Sequence, residues 1–211
     1  MESSLEESVK KLLEDESVKR LVQSRLEEFK KLGEEGSCED IFSELSFCIL
    51  TANFSAERSI YIQRVLGRGF LTLSYSQLTK TLRELGHRFP EKRAEFIVRN
   101  RPLLNEICKL VKLKGSGKAK RNWLVERVNG IGLKEASHFL RNVGFSDVAI
   151  IDFHILDLLE RYRIYERPKT LTKKKYLEIE TILEGIASRM KIGLDALDLY
   201  LWYLETGKVL K

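Results

Sequence analysis

Hydrophobic residues recur at helical spacing along almost the whole chain, and no segment alternates convincingly with the period of a strand. The first two patterns are Leu5, Val9, Leu12 and Leu13, followed by Leu21, Leu26, Phe29 and Leu32. Gly33 and the Glu-Glu-Gly-Ser run after it are expected to end the second helix. The periodicity therefore predicts an all-α protein of about ten or eleven helices.

Turn and capping residues divide the remaining chain into further predicted helices. Ser55 is typical of an N-cap, Gly86–Pro90 breaks the periodicity, and Lys114–Lys118 is the clearest linker. The predicted helices span about 40–50, 56–65, 76–85 and 91–111, a short stretch ending near 127, then 133–142, 152–162, 172–190 and 194–206.

Composition favours a helical protein with a substantial core but restricts function only weakly. The chain has 211 residues, of which 43% are hydrophobic and only 3 are proline. Its formal net charge of +6 makes nucleic acid a plausible partner without requiring one. A chain of this length can form one compact domain or two small lobes that share a groove.

The three cysteines do not indicate a metal site or a disulfide framework. Cys38, Cys48 and Cys108 are odd in number, and no pair has the CxxC spacing. No apolar stretch is long enough to cross a membrane, and the first residues do not form a signal peptide. We therefore expect a soluble, cytoplasmic protein without a membrane contact, with Cys48 in the core.

A glycine-bracketed turn precedes a lysine and, eighteen residues later, an aspartate. The turn contains Gly130 and Gly132, Lys134 opens the next predicted helix, and Asp152 lies beyond that helix. Glycine lets the backbone approach a phosphate closely, and the free N–H groups at a helix start attract an anion. The pattern predicts a helix–hairpin–helix that grips DNA backbone; the alternative is a plain tight turn in a helical bundle.

Two basic runs flank this hairpin and favour DNA as its partner. Between residues 109 and 127 there are seven basic residues against one acidic residue, and a second run follows between 161 and 175. Lys118, Lys120 and Arg121 are the candidate DNA contacts in the first run. A charge run is usually just a solvated face, but two runs that bracket a phosphate-binding turn are better explained by a DNA-binding surface.

The motif resembles that of the helix–hairpin–helix-GPD superfamily of DNA base-excision glycosylases. Asn129–Lys134 and Ile151–His154 match a family motif of roughly Leu-Pro-Gly-Val-Gly-x-Lys and then Val-Asp-x-His, with Asn129 in place of the proline. The segment Asp198–Lys211 resembles the end of the archaeal-type 8-oxoguanine DNA glycosylases. The resemblance runs from about Ile41 to Lys211, and the iron–sulfur cysteines of the endonuclease III branch are absent.

This resemblance implies a single domain over residues 1–211, made of two helical subdomains around a DNA-binding groove. The hairpin would lie at about 120–143. It also implies that Lys134 is the nucleophile and that Asp152 assists it. The start of a helix disfavours an ammonium charge, which suits a lysine that must attack as a neutral amine. The alternatives are a surface lysine and an aspartate that only caps a helix.

Residues around the flipped base follow mainly from the same resemblance. Asn53 matches the residue that fills the hole left by the base, although it could be an ordinary loop asparagine. Phe89 and Trp202 match base-stacking positions, with core packing as the alternative for Trp202. His138 lies one helical turn after Lys134 on the same face. Lys211 would help recognise 8-oxoguanine if its tail docks, because its α-carboxylate could accept from the N7–H of the lesion.

The sequence therefore predicts a DNA glycosylase and AP lyase that removes 8-oxoguanine from double-stranded DNA. The chemistry requires no cofactor and no metal, and we expect the protein to act as a monomer. Two alternatives stay open: a glycosylase for another oxidised base, and a non-catalytic helix–hairpin–helix module that only binds DNA.

Overall fold

A computed structural model describes residues 4–211, and within that range the chain forms thirteen α-helices, one short 3-10 helix and no strand. The helices are α1 (Leu5–Glu14), α2 (Glu16–Glu35), α3 (Cys38–Thr51), α4 (Ala56–Leu66), α5 (Gly69–Thr72), α6 (Tyr75–Glu84), α7 (Pro90–Asn100), the 3-10 turn (Arg101–Leu103), α8 (Leu104–Lys112), α9 (Gly117–Arg127), α10 (Leu133–Asn142), α11 (Phe153–Arg161), α12 (Lys173–Met190) and α13 (Leu194–Thr206). The predicted all-α fold is confirmed. None of these helices is long and apolar enough to cross a membrane.

Most helix boundaries agree with the sequence pattern, and the exceptions have local causes. The predicted helix over 91–111 is interrupted at Pro102, because proline lacks an N–H donor and its ring clashes with the preceding turn. Helix α2 continues through Gly33 and ends at Glu35, within the Glu-Glu-Gly-Ser run that was expected to end it. The short helix α5 was not predicted.

Gly33 does not end α2. Its role is to allow α2 to pack closely against the chain at the end of α10. A Cβ atom at this position would lie 2.1 Å from the carbonyl oxygen of Val143, just past the end of α10. Only glycine permits this approach of the two backbones. A glycine inside a helix is therefore explained here by a tertiary contact that the sequence does not reveal.

Buried hydrophobic side chains form two clusters. The first cluster is built on α3 and α10 and includes buried residues of α4 to α9. The second combines α1 and α2 with α11, α12 and α13. Helix α10 packs against both α9 and α3 and also contacts α2, so it lies between the two clusters.

The structure corrects the expectation about cysteines. Cys38, at the start of α3, is disulfide-bonded to Cys108 of α8 across 70 residues of chain. Cys48 is free and fully buried, as expected. Spacing along the chain could not identify the bonded pair, since only the packing of α8 against α3 brings the two sulfur atoms together.

We expect removal of this disulfide to destabilise the protein markedly. The cross-link restricts a long loop of the unfolded chain, and for this separation the loop-entropy estimate is about 4 kcal/mol, which is an upper value. Thermal unfolding of the double variant Cys38→Ser/Cys108→Ser should therefore show a clearly lower Tm. Wild type treated with a reductant is the matched control and should approach the variant. An unchanged Tm in both samples would show that the bond contributes nothing.

Candidate active site

The hairpin between α9 and α10 is built around a glycine that no other residue can replace without strain. Gly130 has φ of +83°, and a Cβ atom there would lie 2.2 Å from the ring of Phe96. Its backbone therefore needs both the left-handed conformation and the missing side chain. This packing fixes the turn against α7.

A buried asparagine ties the same turn to the end of α7. Asn100 is fully buried; its side-chain oxygen accepts from the backbone N–H of Asn129 at 2.8 Å, and its Nδ2 donates to the carbonyl of Asn129 at 3.0 Å. Proline, which the family motif has at position 129, could not donate the first of these bonds. The asparagine substitution thus comes with its own hydrogen-bond partner.

Helix α10 presents three polar side chains on one face. Lys134, His138 and Arg141 are spaced at i, i+4 and i+7, so they lie one above the other. Lys134 is in the first turn and its side chain is 24% exposed, whereas His138 and Arg141 are buried. The hairpin therefore delivers a reachable lysine with two buried basic side chains behind it.

Asp152 caps helix α11, as the sequence suggested. Its Oδ1 accepts a hydrogen bond from the backbone N–H of Ile155 at 3.0 Å. This bond fixes the carboxylate at the start of the helix. Capping and a chemical role are compatible, because a carboxylate has further acceptor positions.

One cavity of about 910 Å³ brings the main predicted residues together. Both proposed catalytic residues contribute to its wall, and so do four of the predicted substrate and DNA contacts. The six residues are Lys134, Asp152, His138, Trp202, Lys211 and Asn53. Residues far apart in the sequence thus converge on a single site.

The site also contains an acidic residue to which the sequence analysis assigned no role. Asp198 of α13 lines the cavity, and its Oδ2 lies 3.4 Å from Nη1 of Arg141. Burial raises the pKa of Asp198 to about 6; repulsion by Asp152 adds to this, and the charges of Arg141 and Lys134 oppose it. The spacing of Arg141 from Lys134 could have been noticed from the helical period, but nothing in the sequence pairs it with Asp198.

His138 is held neutral in this environment. Burial, followed by the charges of Arg141, Lys134 and Lys211, lowers the pKa of the imidazole well below its usual value. A neutral imidazole has one donor and one acceptor nitrogen. Both ring nitrogens of His138 are buried, so the imidazole lies behind the cavity surface and adds no positive charge to it.

Two buried side chains, Arg93 and His87, hold the backbone of the loop that carries Asn53. Asn53 is exposed and adopts a left-handed conformation with φ of +57°. Arg93 donates to the carbonyl of Ala52 at 2.5 Å, and Nε2 of His87 lies 3.0 Å from the carbonyl oxygen of Leu50. The loop is thus a fixed protrusion at the cavity edge.

Phe89 and Trp202 occupy different positions relative to the cavity. Trp202 is part of the wall, and its ring meets that of His154 edge-on, with 4.9 Å between centroids. Phe89 is not among the lining residues; its ring is 37% exposed beside the guanidinium of Arg88. The structure therefore places one of the two predicted stacking residues in the cavity and the other outside it.

Two of the three predicted basic DNA contacts need correction. Lys120 is buried and donates to the carbonyls of Leu110 and Leu113. Arg121 is 2% exposed, and its two terminal nitrogens donate to the carboxylate of Glu180. Neither side chain can reach a phosphate, because each satisfies an internal acceptor.

Lys118, the third residue of that group, is partly exposed but is paired with Glu184. The positive charge of its ammonium group is therefore already partly compensated by a carboxylate. The basic run is thus a mixture of structural and surface positions, which a charge count cannot separate.

Comparison with known proteins agrees with this geometry. The family described as 8-oxoguanine DNA glycosylase matches residues 22–192. An 8-oxoguanine DNA glycosylase/AP lyase of Korarchaeum cryptofilum is 52% identical over 200 residues, which cover 94% of each chain.

Two solved structures are similar over nearly the whole chain. The crystal structure of the 8-oxoguanine DNA glycosylase of Thermotoga maritima has a TM-score of 0.92 and 50% identity, and covers 98% of each chain. The Methanocaldococcus jannaschii 8-oxoguanine glycosylase/lyase, in complex with a 15mer DNA containing 8-oxoguanine, has the same TM-score and identity. It covers 98% of this chain and 99% of its own.

The all-helical fold and these neighbours define a helix–hairpin–helix DNA glycosylase. Within that class, the chain belongs to the 8-oxoguanine DNA glycosylase family. The resemblance inferred from the hairpin motif and the C-terminal segment is confirmed.

The raised pKa of Asp198 makes a prediction about stability and pH. Because the folded protein binds this proton more tightly than the unfolded chain does, Asp198 should contribute more stability as the pH falls from about 6 toward 4. The free energy of unfolding of wild type, minus that of Asp198→Asn, should rise over this range by at most about 1.4 kcal/mol per pH unit. Urea unfolding of both proteins between pH 7 and pH 4.5 measures the difference, and a flat difference would contradict the assignment.

Proposed function

We propose that this protein removes 8-oxoguanine from double-stranded DNA and then cuts the strand as an AP lyase. The observation that carries the proposal is the placement of Lys134 and Asp152 in one cavity beside the α9–α10 hairpin. Two relatives with this name are each 52% identical to the chain over 94% of its length. A DNA-binding module without activity would not need a cavity of this size beside its hairpin.

Lys134 is the nucleophile of the proposed reaction. Its amine forms a bond to C1′ of the damaged nucleoside while the bond from C1′ to the base breaks and the base leaves with a proton. The sugar ring opens, and the carbon–nitrogen bond becomes a Schiff base. Loss of a C2′ proton then expels the 3′ phosphate by β-elimination, which cuts the strand.

Asp152 stabilises the positive charge that develops on the sugar as the base departs. Its carboxylate is held by the helix cap, so it needs no rearrangement when that charge appears. It also provides an acceptor for a proton from the Lys134 amine. Asp152 therefore acts electrostatically and by proton transfer, whereas Lys134 acts covalently.

The remaining cavity residues form the proposed pocket for the flipped base. A base inside a duplex cannot reach Lys134, so it must leave the stack. Asn53, on its fixed protrusion, fills the space left behind. Trp202 offers a stacking surface, and neutral His138 lines the pocket against the base without adding charge. Lys211 closes the other side of the pocket.

Phe89 keeps a role in this proposal as a second stacking residue at the pocket entrance. Its backbone N–H donates to Nδ1 of His87 at 3.0 Å, which ties it to the segment below Asn53. Because Phe89 is partly exposed, it can contact a base that approaches from the duplex.

The hairpin holds the DNA backbone and does not read sequence. The N–H groups at the start of α10, just past the Gly130–Gly132 turn, are the proposed phosphate donors; the N–H of Gly132 itself donates to Oε2 of Glu135 at 3.3 Å. Each phosphate contact would add about one unit to the salt dependence of binding. The protein is proposed to act as a monomer on chromosomal DNA in the cytoplasm.

Substitution of Lys134 provides the sharpest test of catalysis. With Lys134→Gln, strand cleavage of an 8-oxoguanine duplex should fall by at least about a thousandfold, because the nucleophile is removed. Borohydride should trap a covalent protein–DNA adduct with wild type and none with the variant. DNA affinity should stay within a few fold.

Lys19→Gln is the matched control, since Lys19 is a half-exposed lysine in the first turn of α2 that pairs with Glu16. It should trap as wild type does. Absence of an adduct with wild-type protein would favour the non-catalytic DNA-binding alternative. Equal trapping by wild type and Lys134→Gln would mean that another amine is the nucleophile.

The choice of lesion is tested by comparing substrates in single-turnover reactions. We expect a duplex with 8-oxoguanine to be cleaved at least tenfold faster than one with thymine glycol, since the relatives similar to this chain are named 8-oxoguanine DNA glycosylases. A reversed order would favour the alternative of a glycosylase for oxidised pyrimidines.

A further inference from the structure

A buried carboxylate on α3 lies outside the group of residues used in the proposed chemistry. Glu44 is only 3% exposed, yet both of its oxygens are occupied. Its Oε1 accepts from Nδ2 of the buried Asn142 at 2.6 Å, and its Oε2 accepts from Nε2 of Gln63 at 3.0 Å. These three polar side chains come from α3, α10 and α4, and together they form a socket within the first hydrophobic cluster.

The ammonium group of Lys211 fills this socket. Its Nζ donates to Oε2 of Glu44 at 2.8 Å and to Oε1 of Gln63 at 2.5 Å. It also lies 4.4 Å from the centroid of the Phe47 ring, within the range of a cation–π contact. Three different acceptor surfaces therefore hold one cation.

The segment from Gly207 to Lys211 spans the two hydrophobic clusters. Val209 packs against the second cluster, whereas Glu44 lies on α3, a central helix of the first. Between these two attachments, Leu210 and Lys211 line the active-site cavity. The position of the cavity wall thus depends on where Lys211 is anchored.

The ion pair between Glu44 and Lys211 is the stronger of the two electrostatic attachments of this segment. A buried carboxylate that loses its cation keeps only neutral donors, and breaking such a pair is costly because the remaining charge stays buried. The segment has a second ion pair, between Lys208 and Glu57, but both of those side chains are 58% exposed. An exposed pair contributes little, so the Glu44 socket is the dominant attachment.

We propose that Glu44 is a positioning residue for recognition of the damaged base. By holding the side chain of Lys211, it sets the wall of the pocket against which the flipped base must fit. This inference rests on the proposed function. It predicts that Glu44 matters for excision of the base and not for the lyase step, because an abasic site has no base to place against that wall.

The test uses Glu44→Gln, which keeps the shape of the side chain and removes its charge. Single-turnover rates are measured on two duplexes, one with 8-oxoguanine and one with a preformed abasic site. We expect 8-oxoguanine excision to fall at least tenfold and abasic-site cleavage to change by less than about twofold. Lys211→Met, which keeps the aliphatic stem but removes the ammonium group, should produce the same selective loss.

The double variant Glu44→Gln/Lys211→Met separates positioning from a general structural effect. If Glu44 acts through Lys211, the double variant should be no slower on 8-oxoguanine than the slower single variant. Glu57→Gln is the matched control, since it breaks the exposed ion pair of the same segment. It should leave the ratio of the two rates within about twofold of wild type.

Three results would overturn the proposal. The first is an unchanged rate ratio in Glu44→Gln, the second is a parallel fall of both rates, and the third is a multiplicative loss in the double variant. Failure of the proposed function itself would look different, because wild-type protein would then leave the 8-oxoguanine duplex uncut and would trap no adduct.

Discussion

The rest of the site depends on one backbone constraint, which is the left-handed turn at Gly130 packed against the ring of Phe96. Together with the hydrogen bonds from Asn100, this turn fixes where α10 begins and in which direction it runs. Since α10 also packs between the two hydrophobic clusters, its polar face has only one orientation available. Lys134 reaches the cavity because of this constraint.

Charge balance is the second organising feature of the site. Helix α10 brings Lys134 and Arg141 toward the cavity, and other helices supply the compensating acids Asp152 and Asp198. The same environment, in which burial is combined with several charges at close range, keeps His138 neutral and raises the pKa of Asp198. An arrangement of this kind is expected where a reaction develops charge on its substrate.

The division into two hydrophobic clusters explains why the cavity exists. Elements from both clusters contribute to its wall, so no single local segment could form it. The segment ending at Lys211 connects the two sides through a buried ion pair, and the disulfide between Cys38 and Cys108 restrains α3, which carries the acidic partner. Stability and pocket shape are thus linked through the same helix.

The sequence by itself determined the helical fold, most helix boundaries, the hairpin and the family, because these depend on periodicity, capping residues and short motifs. It also predicted Lys134 and Asp152 as catalytic candidates through the family motif, and both line one cavity in the folded protein. Tertiary structure alone decided which basic residues are free: Lys120 and Arg121 carry the same charge as a surface lysine but are buried against internal acceptors. It also decided the disulfide, the pairing of Arg141 with Asp198 and the socket around Lys211. These contacts join residues from distant helices, and the pattern along the sequence does not show which helix surfaces meet.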